Sequence, residues 1–200
     1  MNTIGFIGSG NMAEALIKGI IAAGVYKPES ISISDIRTER LELLAERYNV
    51  AALEKNDQLA VKSDVVVLSV KPQNMADVLS DIKKAVRPGT LIISIAAGIK
   101  VAKISSVLGD IAIVRVMPNT PALIGEGASA LFANDKAKPM LERAKVIFSA
   151  VGKAVIIEDE ELMDAVTAVS GSGPAYSVSY THLRAHETSL HLVCRLLLEK

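Results

Sequence analysis

The sequence predicts an α/β fold, and three observations carry the prediction. Short β-branched runs alternate along the chain with stretches of helical periodicity. The run Val65-Val66-Val67-Leu68 is apolar without alternation, the pattern of a strand buried on both faces. Strand followed by helix, repeated, builds a mainly parallel sheet with helices on both faces.

Strands are expected at residues 4–7, 31–34, 65–70, 91–95, 111–116, 128–132 and 154–157. Between them, residues 12–23 place Leu16, Ile17, Ile20 and Ile21 on one face and stop at Gly24, suited to the left-handed position past a helix end. Residues 38–48 repeat that design. Asn134 precedes Asp135 as an N-cap, and Met140, Leu141, Ala144, Ile147 and Phe148 follow at helical spacing before Gly152. After residue 157 the strand pattern ends. Glu158-Asp159-Glu160-Glu161 then opens a helix with an apolar stripe of Leu162, Met163, Ala165, Val166 and Val169. Consecutive acids fan outwards on a helix, so this run reads as a solvated first turn rather than a metal site. A domain boundary is expected near Glu158.

Composition narrows the function. Of 200 residues half are hydrophobic, and 22 basic side chains balance 22 acidic ones. A zero net charge excludes a protein that works by blanketing phosphates or an anionic surface, because that binding draws on clustered Lys and Arg. Nucleic acid and membrane are therefore not expected partners. No apolar run approaches the roughly 20 residues that span a bilayer, and Met1-Asn2-Thr3-Ile4 lacks the basic start of a signal peptide. The single cysteine, Cys194, makes no internal disulfide. A cytoplasmic location is expected.

Gly8-Ser9-Gly10-Asn11-Met12-Ala13 fits the pattern G-x-G-x-x-G/A, directly after the first strand and opening the first helix. Gly8 permits a tight turn, Gly10 lets backbone approach a pyrophosphate, and Ala13 lets helix and strand pack closely. The pyrophosphate would sit on the helix N-terminus, where unpaired N–H groups attract anions. A Rossmann-like dinucleotide site is therefore expected here, over the plainer reading of turn glycines in an α/β domain. Its selectivity stays open: Asp35 suits the ribose 2′-hydroxyl of NAD(H), whereas Ser34, Arg37 and Thr38 offer donors and a cation to the 2′-phosphate of NADP(H).

Five stretches carry a resemblance: residues 5–13, Ser69-Val70-Lys71-Pro72-Gln73, Ser94-Ile95-Ala96-Ala97-Gly98, Arg115-Val116-Met117-Pro118-Asn119-Thr120-Pro121, and Ser170-Gly171-Ser172-Gly173-Pro174-Ala175-Tyr176. Together they resemble the pyrroline-5-carboxylate reductase family, which reduces 1-pyrroline-5-carboxylate to L-proline in proline biosynthesis. The resemblance implies NADP(H) as preferred cofactor, with NAD(H) possible. It implies that Ile7, Gly8, Ser9, Gly10, Asn11 and Met12 hold the pyrophosphate, that Ser34, Asp35, Arg37 and Asn56 lie on the adenosine side, and that Ser69, Val70, Lys71, Pro72, Ala96, Ala97 and Gly98 line the cleft. Lys71, Asn119 and Thr120 are the substrate-side candidates. Asn56 could equally cap the helix that begins at Asp57. A related imine or β-hydroxyacid reductase, or a non-catalytic dinucleotide-binding fragment, are the alternatives.

The expected organisation is thus a cofactor domain over residues 1–157, the start of a truncated α-helical domain over 158–176, and a tail over 177–200 that does not match the family. In the family the helical domain grips the substrate and pairs two copies into a dimer, so this chain is expected to be incomplete on both counts. The tail holds His182, His186, His191 and Cys194. No known ligand motif accompanies them, so no metal site is expected.

Overall fold

The computed structural model describes residues 3–173. Eight strands form one sheet: β1 (Ile4–Ile7), β2 (Ile31–Ser34), β3 (Ala51–Ala52), β4 (Val65–Leu68), β5 (Leu91–Ser94), β6 (Ala112–Met117), β7 (Gly127–Ala133) and β8 (Gly152–Ile156), in the order β3-β2-β1-β4-β5-β6-β7-β8. Every neighbouring pair is parallel except β6 and β7. That exception has a simple cause. Residues 118–126 hold only a short 3₁₀ turn, Thr120–Ile124, and a connection that short cannot return the chain for a parallel crossover.

The helices are α1 (Asn11–Ala22), α2 (Thr38–Tyr48), α3 (Asn56–Lys62), α4 (Met75–Ile82), α5 (Val101–Leu108), α6 (Leu141–Ser149) and α7 (Leu162–Val166). On one sheet face Phe6, Ile33, Val67, Ile93 and Val114 pack with Leu16 and Ile20 of α1, Leu44 of α2 and Phe148 of α6. On the other, Ile7, Val66, Ile92 and Ile113 pack with Leu59 of α3, Leu79 of α4 and Ile104 of α5. Both faces are dry. Alternate residues of each strand therefore feed different cores, which is why these strands carry no polar alternation.

The expected bounds of the strands and of α1 and α2 hold to within two residues, whereas the helix expected to open at Glu158 begins at Leu162. Gly24 has φ +66°, and the Asn134 side chain caps the turn 135–140 by accepting from Ala137 N–H at 3.0 Å. The two-residue strand β3 went unforeseen, because Ala51 and Ala52 carry no β-branched signal.

After β8 the structure adds to the sequence reading. The apolar stripe on residues 162–169 lies mostly open: only Met163 is buried, while Leu162 is 51% and Val169 75% exposed. Past Val166 the chain opens into a wide π-helical turn, Thr167–Gly171, which shifts the angular phase and rotates Val169 away from Met163. The acids do not all fan outwards either, since Glu160 turns inwards onto a buried arginine. No helix among the described residues is long and apolar enough to cross a membrane. Residues 177–200, with the three histidines and Cys194, lie outside the described residues.

Candidate cofactor site

Strand order reverses between β1 and β4, and this opens a crevice above the carboxyl edge of the sheet where α/β folds take ligands. Backbone bonds hold the loops of that edge together. Gly8 N–H donates to Ser34 O at 2.8 Å, Ser69 N–H to Ile7 O at 2.8 Å, and Ile95 N–H to Leu68 O at 3.1 Å. The fold therefore gathers Ile7–Gly10, Ser34–Asp35, Ser69–Val70 and Ile95–Gly98 into one row.

The two glycines of the turn serve different ends. Gly8 adopts φ +91°, and a Cβ there would lie 2.6 Å from Ser69 O, so the fold itself demands glycine. Gly10 adopts φ −72°, and nothing lies within 4 Å of a Cβ built on it. Among the described residues nothing needs glycine at that position; the space above it lies at the amino end of α1. Asn11 is exposed and Met12 half-buried, while Ser9 and Ala13 are fully buried.

Asp35 organises the loop after β2. Its carboxylate accepts from Ser9 N–H at 2.7 Å and Arg37 N–H at 3.0 Å, and pairs in bidentate fashion with the Arg37 guanidinium through two bonds of 3.1 Å. Burial pushes the Asp35 carboxyl up, but the bonds from Arg37 and Ser9 outweigh it and hold its pKa below the usual aspartate value. Arg37 itself is 60% exposed.

Ser34 and Asn56 are tied to each other. The buried Ser34 hydroxyl donates to Asn56 Oδ1 at 2.9 Å and so orients the Asn56 amide. Asn56 Nδ2 in turn donates to Asp81 at 3.0 Å. Asn56 is the first residue of α3, and neither it nor Lys55 before it makes a capping bond from its side chain, which rules out the N-cap reading. Beside these residues lies a cavity of about 320 Å³ lined by Asp35, Asn56 and Asp81 together with Ile36, Glu54, Lys55 and Asp57.

Sequence reasoning missed Arg40. Its Nε donates to Ser9 O at 2.7 Å and its guanidinium pairs with Glu14, which also accepts from Arg47 and Tyr48. Burial raises the Glu14 carboxyl, yet the bonds from Arg40, Tyr48 and Arg47 leave it below the ordinary glutamate value. The spacing of Arg40 and Arg47 by seven put both on one face of α2, a signal that was there to be read.

Towards the other end of the crevice, Ser69 and Val70 are half-buried, and Lys71 and Pro72 are exposed at a short 3₁₀ turn. Ala96 is buried, Ala97 half-buried, and Gly98 exposed at φ +71°. Asn119 is committed on both sides: its Oδ1 accepts from Ala128 N–H at 2.8 Å and its Nδ2 donates to Ser170 Oγ at 3.2 Å. It bridges β7 and the segment after α7, while Thr120 beside it is exposed. No group of three or more metal-ligating side chains occurs among the described residues.

Comparison with known proteins gives this crevice a family. Residues 3–98 match a family described as NADP oxidoreductase coenzyme F420-dependent. The chain is 47% identical over 175 residues to pyrroline-5-carboxylate reductase of Pseudomonas aeruginosa and 46% identical over 175 residues to that of Synechocystis, in each case across 86% of this chain and 64% of the relative. A solved pyrroline-5-carboxylate reductase of Coxiella burnetii superposes with a TM-score of 0.87 at 36% identity, covering 94% of this chain and 71% of the other. The chain belongs to the pyrroline-5-carboxylate reductase family. A second member, from Plasmodium falciparum, was solved with NADP bound and matches with a TM-score of 0.79 at 32% identity, over 90% of this chain and 66% of that one. The chain spans about 64% of the length of the curated reductases it matches first.

Proposed function

We propose that the chain binds a nicotinamide dinucleotide along the row of loops, NADP(H) in preference to NAD(H), and that the protein reduces 1-pyrroline-5-carboxylate to L-proline. The observation that carries the cofactor reading is Gly10. Its φ of −72° and the empty space around it mark a glycine that the chain does not need for its own fold, at the amino end of a helix whose free N–H groups suit a pyrophosphate. Residues 7–12 cradle that group, and the row then leads from Asp35, Arg37 and Asn56 at the adenosine end, past residues 69–72 and 96–98, to Asn119 and Thr120.

A bound nicotinamide supplies the hydride; the protein holds donor and acceptor in line and excludes water. A protonated cyclic imine is already electrophilic and loses its charge on reduction, so little acid–base machinery is needed. Lys71, exposed beside the crevice, is assigned to a carboxylate of substrate or a phosphate of cofactor, and Thr120 to the substrate side. Asn119 acts there by fixing the loop, since both ends of its amide are taken. Arg37, largely exposed, can leave Asp35 for a 2′-phosphate, whereas the carboxylates around the neighbouring cavity disfavour that phosphate and keep NAD(H) as second cofactor. The single cysteine leaves no internal disulfide to require an oxidising compartment, which fits work in the cytoplasm.

The test is to purify the chain, measure NADPH affinity by fluorescence, and follow NADPH oxidation with 1-pyrroline-5-carboxylate. Faster turnover of an open-chain hydroxy acid would overturn the substrate, and an affinity unchanged by Gly10→Val would overturn the cofactor site.

A further inference from the structure

Arg115 is the one charged side chain fully buried among the described residues, at 2% exposure in the middle of an otherwise apolar β6. The cofactor reading does not use it. Its Nη1 donates to Glu160 at 3.1 Å and its Nη2 to Asp164 at 3.4 Å. The same Glu160 carboxylate accepts from Val101 N–H at 2.8 Å, at the first residue of α5, immediately after the 96–98 loop. Lys100, one residue earlier, pairs with Glu161 at 2.8 Å. A single carboxylate thus joins three parts of the molecule: β6, the loop side of α5, and the segment that opens the helical domain. Further along, the Asn119–Ser170 bond and the close seat of Gly171, where a Cβ would lie 2.7 Å from Met117 Cε, hold the end of that segment over the end of β6.

Desolvating a guanidinium and a carboxylate stabilises poorly compared with apolar packing of the same volume, so the return from such a pair lies in fixed geometry. We propose that Arg115 is a positioning residue. Through Glu160 it holds the 96–98 loop and the 160–171 segment as one unit, so that the cofactor side of the crevice and the start of the substrate-binding domain keep a set separation. This rests on the assignment of residues 96–98 to the cofactor.

Hydrogen exchange of the intact chain tests it in two arms. Without cofactor, Arg115→Met should speed exchange by about tenfold in residues 96–104 and 160–171 together and leave β1 and β2 unchanged. Acceleration in only one of the two segments, or spread evenly over the chain, overturns the proposal. With NADPH, wild-type exchange in 160–171 should slow, and Arg115→Lys should keep part of that response. The double variant Arg115→Met/Glu160→Met should regain thermal stability, having no unpaired buried charge, yet show no NADPH response in 160–171. A response that returns with stability marks a merely structural pair and overturns the proposal. Should NADPH fail to bind the wild type, the cofactor reading falls, and the ligand-free arm still decides the role of Arg115.

Discussion

The two ends of the crevice use the same device under opposite conditions. At the end beside β2, Asp35 accepts the Ser9 N–H just before α1 and pairs with Arg37, two residues away and largely exposed. At the far end, Glu160 accepts the Val101 N–H at the start of α5 and pairs with Arg115, 45 residues away and 3% exposed. In each case a carboxylate pins a helix start and an arginine completes it. Solvent makes the difference between them: the exposed arginine is free to exchange one anion for another, whereas the buried one is bound to its partner.

The largest expected effect tests the buried pair. Arg115→Met should cost about 3 kcal/mol in urea unfolding, because it strands the Glu160 carboxylate inside the protein. Arg37→Ala should cost under about 1 kcal/mol in the same measurement, and equal losses would end the contrast.

Next comes the glycine turn, where Gly8→Ala forces a side chain into φ +91° against Ser69 O and should cost about 2 kcal/mol. Gly10→Ala should leave stability within about 0.5 kcal/mol, since its backbone is ordinary, while lowering NADPH affinity about tenfold by fluorescence titration. A loss of stability at Gly10 equal to that at Gly8 would remove the distinction between a glycine kept for the fold and one kept for a ligand.

Arg37→Ala should lower the preference for NADPH over NADH by severalfold, and Asp35→Asn should raise it, read as the ratio of the two affinities. The smallest effect is one of pH. Because the folded state holds Asp35 below its ordinary value, its contribution to stability is fully present above the ordinary aspartate pKa and is lost as pH falls through the lowered folded value. In acid unfolding, Asp35→Asn should flatten that part of the stability curve and lower the plateau above it without changing its slope.

Much of the fold was legible because its signals are local. The apolar run of β4, the glycine turn before α1 and the left-handed Gly24 each arise from a few neighbouring residues. The loops along the carboxyl edge were legible for the same reason, since each directly succeeds a strand whose position the sequence shows. Ser34 and Asn56 could each be singled out from the sequence, but their bond to each other needs α3 to be placed against β2.

By itself, then, the sequence determined the alternation of strands and helices, the place of the glycine turn and the presence of both a carboxylate and an arginine after β2. Tertiary structure alone decided that β7 runs antiparallel, that Asn119 is tied to Ala128 and Ser170, and that Glu160 faces inwards. The reason is physical. A run of four acids next to a helix looks solvated until a buried guanidinium 45 residues away is brought beside it, and only the packed sheet creates the desolvated site in which that charge needs a partner.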